Sequence, residues 1–251
     1  MLENGKELQV KWGSKMLVAE RFRLNSTALK LIAILAMFVD HASFYLIPKG
    51  TTADIVVHSI GRLAAPIMCY LLAEGYFYTS NRRKYAKRLL WFALLSHFPF
   101  VWFFGLEWWQ ATSVMWSLLM GLIALSVCKN DSMHLLVKLP LLALCCLLAW
   151  TADWNFIAVL WIVAFGLFRG NQTLQMLSFA AIGTVFYIVP GLMSMGLDAS
   201  FRFGIWMAIP IFYLYNGKPG KRSPLMKWGF YVFYPLHLLV LYVLYQWIWN
   251  G

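Results

Sequence analysis

The chain has 251 residues, 61% of them hydrophobic and only 12% charged, with a formal net charge of +11. Its mean hydropathy is +0.67. A soluble domain is nearer half apolar and a quarter charged, and a chain of this length has no water-facing shell large enough to hide the excess. In a soluble protein the positive charge would suggest nucleic acid. Here the basic residues sit in short connectors between apolar blocks, which is the pattern of membrane topology, so the expected partner is the lipid bilayer and not nucleic acid.

Crossing a bilayer as a helix takes roughly 20 apolar residues, and only helices and closed barrels leave no backbone group unpaired in hydrocarbon. Stretches such as 29–39 and 135–148 do not alternate apolar and polar residues as barrel strands do, so the expected fold is all-α, a polytopic transmembrane helical bundle. Residues 1–26 come first: polar and basic, with no apolar run leading to a cleavage site. They read as a basic cytoplasmic N-terminal segment. The apolar residues scattered in it (Leu17, Val18, Phe22, Leu24) leave open an amphipathic element on the inner leaflet or a cytoplasmic tail. Residues 27–251 read as the membrane domain. About nine spans are expected, near 27–47, 55–78, 89–104, 112–128, 135–150, 154–168, 172–190, 201–215 and 228–248.

Connector charge alternates with this count. One side carries Lys6, Lys11, Lys15, Arg21 and Arg23, then Arg82, Arg83, Lys84, Lys87 and Arg88, then Lys129 and Lys138, Arg169, and finally Lys218, Lys221, Arg222 and Lys227. The other side carries Lys49 with Asp54, Glu107, Asp153 and Asp198. By the positive-inside rule the N-terminus is cytoplasmic, as expected for a multi-pass protein of the bacterial cytoplasmic membrane.

Ionisable residues inside spans cost several kcal/mol each and mark partners or wet cavities. Span one holds Lys30, Asp40 and His41, and span two Arg62 and Glu74. His97, Arg202 and His237 lie in spans three, eight and nine, and Asp153 at the start of span six. A hairpin of the first two spans would stack two charge layers, one of Asp40, His41 and Arg62 and one of Lys30 and Glu74. Lys30 and His41, eleven residues apart, return to nearly the same helix face at about 16 Å separation. Asp40 and His41 diverge by about 100° on the helix. Asp40 is therefore expected to pair with Arg62, and the orienter of His41 to come from another helix, with Asp153 as a candidate. His97 and His237 neighbour Pro99 and Pro235, where each could satisfy a freed carbonyl. His58 reads as interfacial. There is no P-loop, GxGxxG, GxSxG or HExxH, and no histidine spacing that suggests a metal. The four cysteines lack CxxC spacing and read as buried free thiols.

Particular stretches carry a family resemblance. These are LKLIAILAMFVDH at 29–41, GRLAAPIMCYLLAEG at 61–75, YAKRLLWFALLSHFP at 85–99 and FYVFYPLHL at 230–238. In that order they resemble the TraX family, whose namesake acetylates pilin. The resemblance spans about 27–245 and is loose between 105 and 200. It implies an acetyl-CoA-dependent acyltransferase acting on an acceptor peptide, pilin or glycan. It also implies a distant likeness to larger membrane acyltransferases, in which a basic residue, ten intervening residues and a histidine mark the first core helix; Lys30 to His41 has that spacing. On this reading His41, Asp40 and Arg62 are catalytic. Lys30, Glu74, Arg82, Arg83, Lys84 and Arg88 bind acetyl-CoA, and His97, Asp153, Arg202 and His237 are candidate acceptor-site residues. A transporter or flippase using the same buried charges is the alternative.

Overall fold

The computed structural model describes residues 23–220 and 223–250. The segment 1–22, with its expected amphipathic or tail character, lies outside the described residues, as do Lys221 and Arg222. The described chain is helical throughout, and its only extended pairings are two isolated bridges, Leu24 with Tyr215 and Thr112 with Ala152. In chain order the helices are α1 (Ser26–Ser43), α2 (Thr52–Gly61), α3 (Ala64–Tyr78), α4 (Arg82–Phe104), α5 (Val114–Cys128), α6 (Leu135–Leu148), α7 (Asn155–Leu167) and α8 (Gln172–Gly183). A π turn (Thr184–Ile188), α9 (Val189–Met195), a 3-10 segment (Gly196–Met207) and α10 (Ala208–Tyr213) continue the line, and α11 (Pro224–Asn250) ends it.

Side-chain caps set several boundaries. Asn25 accepts from the Ala28 amide, Asn81 from Lys84 and Asn171 from Leu174, each satisfying a first-turn donor. Gly105, at φ 63°, ends α4 in the left-handed conformation that glycine adopts without strain.

Each of the nine expected segments is helical. Among the described residues, however, four helical stretches are long and apolar enough to cross a membrane by length and composition: Ser26–Ser43, Thr52–Tyr78, Gln172–Tyr213 and Lys227–Ile248. The apolar helices α5, α6 and α7 are shorter, and α4 begins on a run of basic residues. The expected seventh and eighth spans form one helical line interrupted by the π turn and the 3-10 segment. The expected second span breaks in the middle. Pro66 has no amide to offer the Arg62 carbonyl, and the chain closes a tighter turn there, Leu63 N bonding Ile60 O at 3.1 Å. The break leaves Arg62 between two helices.

The core centres on α7. Trp161 and Phe165 are fully buried against Phe179 of α8 and Phe212 of α10, and the Trp161 indole donates to the Phe179 carbonyl at 3.1 Å. Helices α5 and α7 pack closely because Gly121 and Gly166 make room for Ile162 and Leu125. Meanwhile Trp91, Leu136 and Leu147 project outward, more than 60% exposed. Large apolar side chains spread over outward helix faces suit lipid, and the chain is a membrane protein.

Candidate functional site

A cavity of about 440 Å³ opens between α1, α2, α3 and the 3-10 segment. Asp40 and His41 line it from α1, Asp54 and His58 from α2, and Arg62 from the α2–α3 break. Asp153, Trp154, Phe201 and Tyr234 complete the wall, and Lys49, Gly50 and Asp198 lie toward its mouth.

Asp40 is the electrostatic centre. Its Oδ2 accepts from Arg62 Nη2 at 2.6 Å, the pairing expected from the hairpin. Its Oδ1 accepts from His58 Nδ1, also at 2.6 Å. His58 is thus a buried member of the charge layer, not an interfacial residue. Its Nε2 lies 3.1 Å from Asp54 Oδ1, off the line of a good hydrogen bond, so both buried atoms lack a hydrogen-bond partner among the described residues. Asp54 Oδ2 accepts from the Gly50 amide at 3.0 Å. The four-residue spacing of Asp54 and His58 puts them on one helix face and is the signal that could have found them.

Two glycines allow these approaches. A Cβ on Gly61 would overlap the Asp40 carboxyl group, and one on Gly204 would strike the backbone of Ser59. The first lets α1 touch the α2–α3 break. The second presses the 3-10 segment on α2, so that Phe201 roofs His58 at 6.0 Å between ring centroids.

Arg62 Nη1 donates to Tyr187 Oη at 3.0 Å. Tyr187 lies in the π turn, an irregularity often found at functional sites. Its carbonyl accepts from Arg202 Nη1 at 2.8 Å, and the Arg202 guanidinium sits 4.6 Å over its ring. Arg202 is therefore behind the cavity wall. No local pattern marked Tyr187, which is 125 residues from Arg62.

His41 is buried, and its ring meets Phe103 and Phe104. Its hydrogen-bond partner is His237, with Nδ1 and Nε2 2.7 Å apart. The orienter does come from another helix, but it is His237 of α11 and not Asp153. Asp153 lies in the α6–α7 connector, where its amide donates to Thr112 O and its carboxyl faces the cavity. The protein atoms that enclose the cavity around it push that carboxyl up to about 6, although the residue itself keeps open surface. His237 Nδ1 bonds the Phe233 carbonyl rather than Tyr231, the one that Pro235 frees. His97 packs edge-on against Phe98, away from the cavity.

At the Lys30 end of α1 lies a second cavity of about 730 Å³, a vestibule lined by Lys30, Lys84, Arg88 and Lys227 with Glu74, Tyr78 and Trp228. The expected layer of Lys30 and Glu74 does not close as an ion pair. Glu74 takes both oxygens to Arg169, at 2.7 and 3.2 Å, because the planar guanidinium fork matches a carboxylate and an ammonium does not. Lys30 instead lies 5.6 Å over the Phe230 ring. Arg82 stacks on Tyr76 and shares a separate groove with Arg83, so the basic start of α4 is divided between two surfaces. A chamber of about 180 Å³ lies between the two cavities. It shares Lys30, Tyr85, Arg88 and Lys227 with the vestibule, and Met68 with the His41 cavity. Among the described residues no three His, Cys, Asp or Glu side chains converge as a bound metal ion needs.

The chain is 27% identical over 231 residues to the probable fimbrial assembly protein FimC, serogroup H1, of Dichelobacter nodosus, an alignment covering 85% of this chain and 92% of that protein. No solved structure matches it. The family model described as TraX protein matches residues 25–245, nearly the whole described structure, and the chain belongs to the TraX family.

Proposed function

We propose that this protein is a membrane acetyltransferase that moves an acetyl group from acetyl-CoA to an amine or hydroxyl of a pilin, peptide or glycan, with His41 as general base. The observation that carries the reading is the arrangement along α1. Lys30 faces a basic vestibule and His41 a charged cavity about 16 Å away, with a narrow chamber between them. Membership of a family whose namesake acetylates pilin supports the chemistry, and the relative's printed name concerns fimbrial assembly. The basic connectors support a cytoplasmic N-terminus and nine crossings in a bacterial cytoplasmic membrane, with the vestibule toward the cytosol.

Acetyl-CoA fits the vestibule by charge. Lys30, Lys84, Arg88 and Lys227 would meet its phosphates, and Arg82 and Arg83 would add to the attracting field. The thin pantetheine arm would follow the chamber past Met68 and present the thioester beside His41. The acceptor would enter through the mouth near Asp54 and Asp198. As its nitrogen or oxygen attacks the carbonyl carbon, His41 takes the proton. Arg62, held by Asp40 and Tyr187, faces the cavity where negative charge develops on the carbonyl oxygen. Collapse breaks the carbon–sulfur bond, and the thiolate leaves with the proton returned by His41.

The test is transfer of labelled acetyl from acetyl-CoA to a pilin N-terminal peptide by the protein in lipid nanodiscs, with products identified by mass spectrometry. His41→Ala should lower turnover by roughly 10²–10⁴-fold while the protein keeps its melting temperature. Undiminished turnover in the folded variant would overturn the assignment. The same line of chambers suits a translocation path, and substrate flux without acetyl turnover would favour a transporter or flippase.

A further inference from the structure

We infer that His237 is the positioning residue that sets the tautomer of His41, holding the proton on Nδ1 and leaving Nε2 as the basic nitrogen of the site. The inference rests on the acetyltransferase reading only for its kinetic consequence. The tautomer itself follows from the geometry.

The chain of hydrogen bonds begins at a backbone carbonyl. Phe233 O is 2.8 Å from His237 Nδ1, and a carbonyl oxygen only accepts, so Nδ1 of His237 carries a hydrogen. In the neutral imidazole Nε2 of His237 is then a bare acceptor. That atom is 2.7 Å from His41 Nδ1, a separation at which one of the two nitrogens must donate. The donor is therefore His41 Nδ1. A neutral His41 protonated there has its lone pair on Nε2. Among the described residues this atom has no protein hydrogen-bond partner, and His41 is the member of the pair that lines the cavity, whereas His237 does not.

The surroundings hold the chain of bonds in place. His237 lies nearly parallel to Phe233, with ring centroids 4.5 Å apart and planes 6° from parallel. Its ring is within 10° of the His41 plane. Phe103 and Phe104 close on His41 from α4. Neither ring can flip without losing a hydrogen bond in a buried place, where an unmade bond costs about 1–3 kcal/mol. Asp40, the nearer carboxylate in sequence, is occupied by Arg62 and His58 and does not compete for His41. The arrangement does for His41 what a carboxylate does in a serine–histidine–aspartate triad, fixing which nitrogen is the base, but with a neutral acceptor.

The test joins spectroscopy to kinetics on the intact protein in nanodiscs. With ¹⁵N-labelled histidine, the His41 signals are assigned by their loss in His41→Ala. The wild type should show a protonated Nδ1 and a bare Nε2. His237→Phe keeps a ring of similar size and removes the acceptor. It should move His41 to the Nε2–H form and lower kcat for acetyl transfer by roughly 10–100-fold, with the KM for acetyl-CoA unchanged. His237→Gln, whose amide oxygen can accept from Nδ1–H, should restore both the signature and most of kcat. A wild-type His41 protonated on Nε2, an unchanged kcat in His237→Phe, or a His237→Gln no better than His237→Phe would each overturn the proposal. An intact Nδ1–H signature in a wild type that transfers no acetyl group would uphold the dyad and overturn the acetyltransferase reading instead.

Discussion

Gly61→Ala tests whether the charge layer depends on the close approach of α1 to the α2–α3 break. The added methyl would overlap the Asp40 carboxyl group, so Asp40 must move. That carboxylate holds two hydrogen bonds of 2.6 Å, to Arg62 and His58, and a shift of about 1 Å lengthens both beyond hydrogen-bond range. Breaking a buried ion pair from one side costs roughly 3–5 kcal/mol, against at most about 1 kcal/mol gained from replacing glycine by alanine in a helix. A net loss of about 2–4 kcal/mol is expected. Intrinsic tryptophan fluorescence during thermal unfolding in detergent reads it directly, with thirteen tryptophans as reporters. The control is a double-mutant cycle. In an Asp40→Gly background the carboxyl and Cβ atoms that the methyl would strike are gone, and Gly61→Ala should be neutral or slightly stabilising. An equal decrement in both backgrounds, or none in either, would refute the reasoning.

Three further outcomes follow from other parts of the structure. Lys84→Ala with Arg88→Ala should raise the KM for acetyl-CoA several-fold with little change in kcat, and added salt should shrink the difference between variant and wild type. Arg169→Lys should cost about 1–2 kcal/mol of stability, because the ammonium cannot reproduce the two bonds to Glu74; an unchanged melting temperature would show that the fork is not needed. Asp153 bears on pH. Its carboxyl titrates near 6, above the ordinary value of 3.8, so the native protein favours the neutral form. The stability this provides is complete below pH about 4 and is lost as pH rises through about 6. Asp153→Asn, neutral throughout, should lack that decline, and parallel stability–pH curves for variant and wild type would contradict the assignment.

The sequence by itself determined the class of the molecule. Apolar blocks without alternation dictate helices in lipid, and their lengths locate the helical segments along the chain. The Asp40–Arg62 pair was legible too, since an antiparallel hairpin brings residues at matching depth together and helical rise fixes the depth. So was the shared stripe of Lys30 and His41. The number of crossings was less legible, because α5, α6 and α7 are too short to be counted by length. What only the tertiary structure decided are the partners contributed by remote elements. Arg169 reaches Glu74 across 95 residues, Tyr187 reaches Arg62 across 125, and His237 reaches His41 across 196. Helical periodicity says which face of a helix a residue occupies, but not which other helix that face meets. That choice is made by packing, through glycines that permit contact at Asp40 and Ser59, a proline that breaks the second span at Arg62, and a π turn that brings Tyr187 to the site.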